Sequence, residues 1–279
     1  MLAAVPKRSQ GLSDLLNLEP IGADSFLAAT PSEATGRLFG GQVASQTLRA
    51  ATLTVDPDRH VHSLHAYFIR PGRSDEPLRL DVDRTRDGRS FTTRRVTAIQ
   101  SGGPIFTLAA SFAIQEEGDD WQEPGPTDMP DPDTIDPSTS FFAQFSTMSP
   151  FEVRPVYPYI AGEPPQLHPL WIRSKTALPD DPALHASVLA FFSDMGVVGS
   201  ARAPGSSLPN RFMGASLDHA MWFHRPARAD DWILFSVEPV SNAGARGLAR
   251  GTMHTREGVH IASIAQEALL RDTGQMPMP

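Results

Sequence analysis

The sequence predicts an α+β protein built from two similar halves. Three observations carry that expectation: landmarks that repeat at one spacing, alternating apolar runs after each landmark, and one helix-like stretch ahead of each run. Arg70-Pro71 in "HAYFIRPG" and Arg225-Pro226 in "AMWFHRPA" lie 155 residues apart. Gly103 and Gly258 follow them, each 33 residues later, and so share that offset. Two landmarks with one offset imply an internal duplication, and two copies imply a pseudo-twofold pair rather than a solenoid.

The first helix is read from Ala44, Leu48, Ala51 and Val55, which fall on one face at helical spacing. Gly40 and Gly41 stand directly before it, in "GRLFGGQVASQTLRAA". Neither a GxxxxGK[ST] nor a GxGxxG spacing is present, so the glycines are expected to serve close packing of helix on sheet rather than phosphate binding. Strand alternation follows in Leu78, Leu80, Val82 and again in Phe106, Leu108, Ala110, Phe112, with Asp87-Gly88 and Ser101-Gly102-Gly103 as turn signals. The second half repeats the scheme. Leu184, Val188, Phe191, Phe192 and Met195 mark its helix, "DWILFSVEPV" and "GLARGTMHTREGVHIASIAQEALL" its strands, and Glu257-Gly258 its turn. Between the halves lies "IQEEGDDWQEPGPTDMPDPDTIDPSTS", rich in acids and prolines, in a region without Lys or Arg from Arg95 to Arg154. It reads as a surface linker. The expected division is an N-terminal domain over 1–115, a linker over 116–140 and a C-terminal domain over 141–279.

Composition narrows the function. The formal net charge of -8 argues against a general nucleic-acid binder, because phosphate contacts need clustered cations. The absence of cysteine removes disulfides, thiolate metal sites and a Cys nucleophile. No apolar run reaches 18 residues, so no membrane-spanning helix is expected. The opening "MLAAVPKRSQ" does not read as a signal peptide, and a cytoplasmic location is the expectation. A serine hydrolase would want GxSxG, and neither "GASLD" nor "PGSSLP" supplies the second Gly.

Four motifs in order, "GRLFGGQVASQTLRAA", "VHSLHAYFIRPG", "RDGRSFTTRRVTAIQSGGPIFTLAASF" and "LDHAMWFHRP", resemble the acyl-CoA thioesterase II (TesB-like) family. The similarity runs from about Ser13 to Arg271. It implies a double hotdog fold, hydrolysis of fatty acyl-CoA to free acid and CoA, no metal or other cofactor, no covalent acyl-enzyme, and homo-oligomeric assembly. Carried over motif by motif, the family's catalytic set falls on Asp194 in "FFSDMG", Ser216 two residues before Asp218, and Gln266 in "IASIAQEAL". Together they would hold the attacking water, with Asp194 as general base.

The 155-residue offset, run backwards, sets Ser111 against Gln266, Val61 against Ser216, and a position beside Gly40 against Asp194. The N-terminal half is therefore expected to be catalytically degenerate, with Gly40 at the silent counterpart of the carboxylate. His65 and His219 read as hydrogen-bonded structural histidines and Asp218 as a cap or ion-pair partner. Arg70 and Arg225 read equally as strand-end structure or as CoA phosphate contacts. Two alternatives stay open: a non-catalytic acyl-CoA or lipid-binding module, and a hotdog enoyl-CoA hydratase, though "SDMGVV" lacks the His a DxNPxH-type pattern needs.

Overall fold

The computed structural model describes residues 11–30, 36–139, 149–160, 165–206 and 212–273. The opening "MLAAVPKRSQ" and part of "PGSSLP" lie outside them. After a short helix α1 (Leu12–Leu15) come β1 (Glu19–Pro20), β2 (Ser25–Ala28), α2 (Gly40–Thr52), β3 (His60–Phe68), β4 (Leu78–Asp87), β5 (Phe91–Gln100) and β6 (Gly103–Ala113). The second half supplies β7 (Phe151–Pro155), β8 (Leu170–Ser174), α3 (Pro182–Phe192), α4 (Val197–Ser200) and β9 (Phe212–Ser216). It ends with β10 (Asp218–Phe223), β11 (Ile233–Ala243), β12 (Arg246–Thr255) and β13 (His260–Asp272).

Among the described residues the strands form one antiparallel sheet in the order β1-β2-β4-β5-β6-β3-β10-β13-β12-β11-β8-β7, with β9 pairing β13. The order is mirrored about the β3–β10 junction, where Ala66 faces His219 and His65 faces Ala220. The resemblance implied two antiparallel sheets, each wrapped around a central helix, that join side by side; among the described residues hydrogen bonding across that junction makes one sheet. The repeat holds at two strand starts: Leu78 to Ile233 and Phe91 to Arg246, the starts of β4 and β11 and of β5 and β12, are each 155 residues, while β13 slips by one against β6, since Ala110 lies opposite Arg94 and Gln266 opposite Ala249.

The helices do not keep that spacing. From Gly40 to Pro182, the starts of α2 and α3, is only 142 residues. The segments joining helix to sheet therefore differ in length between the halves, and an offset taken from strands misplaces helix ends. Both helices lie against each other, α2 also packing on β4, β5 and β6. They run antiparallel: the start of α2 meets the end of α3, and Arg49 near the end of α2 pairs with Asp181 at the start of α3, 3.0 Å. Helix α3 is apolar nearly all round, with Leu184, Val188, Leu189, Ala190, Phe191 and Phe192 buried, as a helix enclosed on every side should be. It ends at Phe192, so Met195 sits in the following turn with Asp194. One hydrophobic core spans both halves.

The acidic stretch after β6 runs over the C-terminal half. Arg256 pairs with Asp131 and Asp133, Arg225 with Asp120, and Trp171 Nε1 donates to the Pro130 carbonyl at 3.0 Å. Met129 and Ile135 pack on Trp171, Trp232 and Leu234. Fixed cations on that half explain why a segment with no cations of its own lies there.

Candidate active site

Asp194, Ser216 and Gln266 are brought together from three elements: the turn after α3, the end of β9 and the middle of β13. Strands β9 and β13 are paired, with Ser216 opposite Ala268, so the hydroxyl and the amide share one patch of sheet. The Ser216 hydroxyl donates to Asp194 Oδ1 at 3.1 Å. The Gln266 amide nitrogen donates to the same Oδ1 at 2.9 Å and to Ser216 Oγ at 2.8 Å. Gln266 is fully buried, and only 7% of Asp194 is exposed.

Burial raises the Asp194 pKa above the ordinary carboxylate value. The facing His219 and the hydrogen bonds from Gln266, Ser216 and the Gly41 backbone N–H pull against that rise without cancelling it. A carboxylate so tuned holds a proton more readily than an exposed one, which suits a general base.

Gly41 belongs to the other half. Helix α2 starts at Gly40 behind Phe39, whose side chain makes no cap, so the N–H groups of Gly40 and Gly41 have no partner from their own segment. Asp194 stands at this start, where the Gly41 N–H favours its charged form, a carboxylate at the positive end of a helix. The approach requires glycine. A Cβ on Gly40 would lie 2.5 Å from Asp194 Oδ2, and one on Gly41 would lie 2.3 Å from the Phe191 carbonyl oxygen. The expectation that Gly40 occupies the silent counterpart of Asp194 is thus corrected: the two touch. The reason is the unequal helix spacing. The expected close packing is real: both glycines meet the end of α3 and the turn after it, and Gly40 also meets Phe68 at the end of β3.

The remaining sequence-derived candidates separate cleanly. Arg70 donates to the Pro104 carbonyl at 2.6 Å and Arg225 to the His260 carbonyl at 2.9 Å, so both tie strand ends together. Asp218 Oδ1 accepts the Glu267 N–H at 2.7 Å. His65 is exposed and meets the Trp222 ring edge-on. His219 differs: it is buried and its Nδ1 lies 2.5 Å from Gln266 Oε1. Among the described residues no group of three or more His, Cys, Asp or Glu is placed to hold a metal ion. No described helix is long and apolar enough to cross a membrane.

The sequence matches the acyl-CoA thioesterase family over residues 143–269 and the acyl-CoA thioesterase N-terminal domain over residues 29–113. It is 35% identical to acyl-coenzyme A thioesterase 8 of Homo sapiens, across 95% of this chain and 90% of that one. The chain belongs to the acyl-CoA thioesterase II (TesB-like) family. The crystal structure of the family member TesB2 from Mycobacterium marinum superposes with a TM-score of 0.79 at 38% identity, covering 95% of this chain and 100% of that one. A hot dog fold protein from Alicyclobacillus acidocaldarius superposes at 0.72 with 19% identity, covering 94% and 98%, which gives the hotdog fold alone. In this thioesterase the contributions of Gly41 and His219 were not legible beforehand. The paired glycines and the "DH" of "LDHAMWFHRP" were the signals, but only the helix-to-helix contact and the β10–β13 pairing give them a place.

Proposed function

We propose that this chain hydrolyses fatty acyl-CoA to free acid and CoA by direct attack of water, with Asp194, Ser216 and Gln266 as the catalytic set. The observation that carries the assignment is the closed hydrogen-bonded triangle among the three side chains, contributed by three separate elements. Sulfur donates poorly into the carbonyl, so a thioester is already activated and an oriented water suffices. Oδ1 of Asp194 receives both side-chain bonds, and Oδ2 is the oxygen turned to Gly40 and the start of α2. A water there would give its proton to the carboxylate, while Ser216 and Gln266 hold Oδ1 and so aim the carboxylate at it. The positive end of α2 stabilises negative charge on the carboxylate and charge developing on the thioester oxygen.

The double hotdog reading is part of this proposal. It is supported by the mirrored strand order, the 155-residue strand repeat and one long helix per half. The division at 1–115, 116–140 and 141–279, assembly as a homo-oligomer and a cytoplasmic location are further parts of the proposal. One catalytic set per chain is expected: the 155-residue offset sets Val61 and Ser111 against Ser216 and Gln266, and by strand pairing Ala110, opposite Arg94, stands where Gln266 stands opposite Ala249, so neither register supplies the amide.

The test is release of free thiol from decanoyl-CoA and palmitoyl-CoA. Wild-type protein should release it, and Asp194→Asn should reduce kcat about 100- to 10,000-fold. Half-maximal activity in that variant would mean a second catalytic set. Tight acyl-CoA binding without thiol release would favour a binding module, and hydration of a 2-enoyl-CoA would favour a hydratase.

A further inference from the structure

We infer that His219 is a positioning residue: it donates from Nδ1 to Gln266 Oε1 and so fixes the amide that orients Asp194 and Ser216. The inference rests on the catalytic reading of the triangle above and adds a fourth group behind it.

The argument begins with Gln266. Its side chain is fully buried, and an amide has two ends of similar shape. Both hydrogens of its nitrogen are used, one on Asp194 Oδ1 and one on Ser216 Oγ. That leaves Oε1 to be satisfied, and a carbonyl oxygen only accepts. Its partner is His219 Nδ1 at 2.5 Å, so Nδ1 carries the hydrogen. His219 is itself 1% exposed and sits on β10, the strand paired on one side with β3 and on the other with β13. The junction of the two halves therefore holds the ring in place.

The far side of the ring is also occupied. Nε2 lies 2.8 Å from the Ser193 hydroxyl, and Ser193 immediately precedes Asp194. Ser193 has one hydroxyl proton and two acceptors in reach, Nε2 and the Ala190 carbonyl at 2.9 Å. Burial keeps His219 below the ordinary histidine pKa, against the pull of Asp194 and Asp218, and so neutral near pH 7. A neutral ring with hydrogen on Nδ1 offers a lone pair at Nε2, and the Ser193 proton goes there. The chain of donors runs Ser193 to His219 to Gln266 to Asp194, and it closes because Ser193 and Asp194 are neighbours. Removing the Nδ1 donor strands a buried carbonyl oxygen and frees the amide to turn. In the turned state its oxygen would face the carboxylate, and the triangle would open.

Two substitutions separate the two ring nitrogens. Asparagine places an amide nitrogen near the Nδ1 position, and glutamine places one near Nε2. With thiol release as the readout and thermal melting as the check on folding, His219→Asn should keep kcat within about 3-fold of wild type. His219→Gln should lower kcat about 10- to 100-fold with KM changed less than about 3-fold, since the loss falls on an oriented group. In a Gln266→Ala background, His219→Gln should cost less than about 3-fold more, because the group it acts through is gone. Equal losses in the two variants, a loss confined to KM, or a full loss persisting in the Gln266→Ala background would overturn the inference. Wild-type activity in Gln266→Ala would instead sink the catalytic reading, and the positioning role with it.

Discussion

The ends of the two long helices show what the duplication kept and what it changed. At the end of α2 stands Arg94, from β5, which is 1% exposed and donates to the Thr54 carbonyl at 2.9 Å and the Thr54 hydroxyl at 3.0 Å. Its charge meets Asp87 at 2.6 Å. At the end of α3 stands Asp194 instead, with Gln266 and Ser216 around it. Position 249 on β12 matches position 94 on β5, each the fourth residue of its strand, and there the second half has alanine, buried opposite Gln266. One half thus fills the place beyond its helix with a cation that satisfies the Thr54 carbonyl and hydroxyl just past the helix end, a stabilising arrangement. The other keeps a small residue, and the room goes to a buried carboxylate and an amide. The first is built for stability and the second accepts a buried acid whose ionisation burial opposes.

That contrast can be broken at either end. The largest effect on stability is expected from Arg94→Ala, which strips buried partners from Thr54; unfolding in urea should show a loss of about 2–3 kcal/mol, with kcat for thiol release little changed. A large fall in kcat with unchanged stability would show that the N-terminal helix end also takes part in the reaction. Gly40→Ala should act in the opposite sense. Its Cβ would push on Asp194 Oδ2 at 2.5 Å and on the Phe68 ring at 2.7 Å, both of which are side-chain atoms able to move. A displaced carboxylate should lower kcat about 10-fold or more, with a melting temperature close to wild type.

The gentlest test is acidification. His168, between the Phe235 and Met195 carbonyls, is pushed down to about 4 by burial, and His254 to about 4 by burial and the neighbouring His260. His219 is lowered as well. Each is held neutral in the fold while the unfolded chain takes up a proton near pH 6.5, so the unfolded state binds more protons between about 6.5 and 4. Stability should fall as pH falls through that window, by less than about 1.4 kcal/mol per pH unit for each group. Asp194 works in the other direction, since its raised pKa gives stability at low pH that is lost as pH rises. Urea unfolding at pH 7.5, 6 and 5 measures the balance; in Asp194→Asn, which removes the opposing group, stability should fall more steeply with pH, and a flat profile in that variant would mean that the histidines do not stay neutral.

Much of the fold was legible because strands and turns follow local rules. Alternation put Leu78, Leu80 and Val82 on a buried face, and the Gly103 and Gly258 turns adopt the positive φ that glycine tolerates, +99° and +82°. The candidate residues Asp194, Ser216 and Gln266 were legible from their motifs, which travel as short local strings. Gly41 and His219 were not, because neither acts within its own segment. A helix start without a cap looks unremarkable until another helix end is brought against it, and a histidine on a strand gains its partner only from the neighbouring strand.

The sequence by itself determined the duplication, the strand periods and the chemistry available in each motif, since these depend on residue order and local backbone preference. Tertiary structure decided that β3 and β10 join into one sheet and that α2 and α3 run antiparallel. It also set Asp194 against the glycines of the opposite half. Helix placement depends on the lengths of the connecting segments and on which apolar faces can be buried together. Those are global properties of packing, and they put Gly40 beside the carboxylate rather than in its silent counterpart.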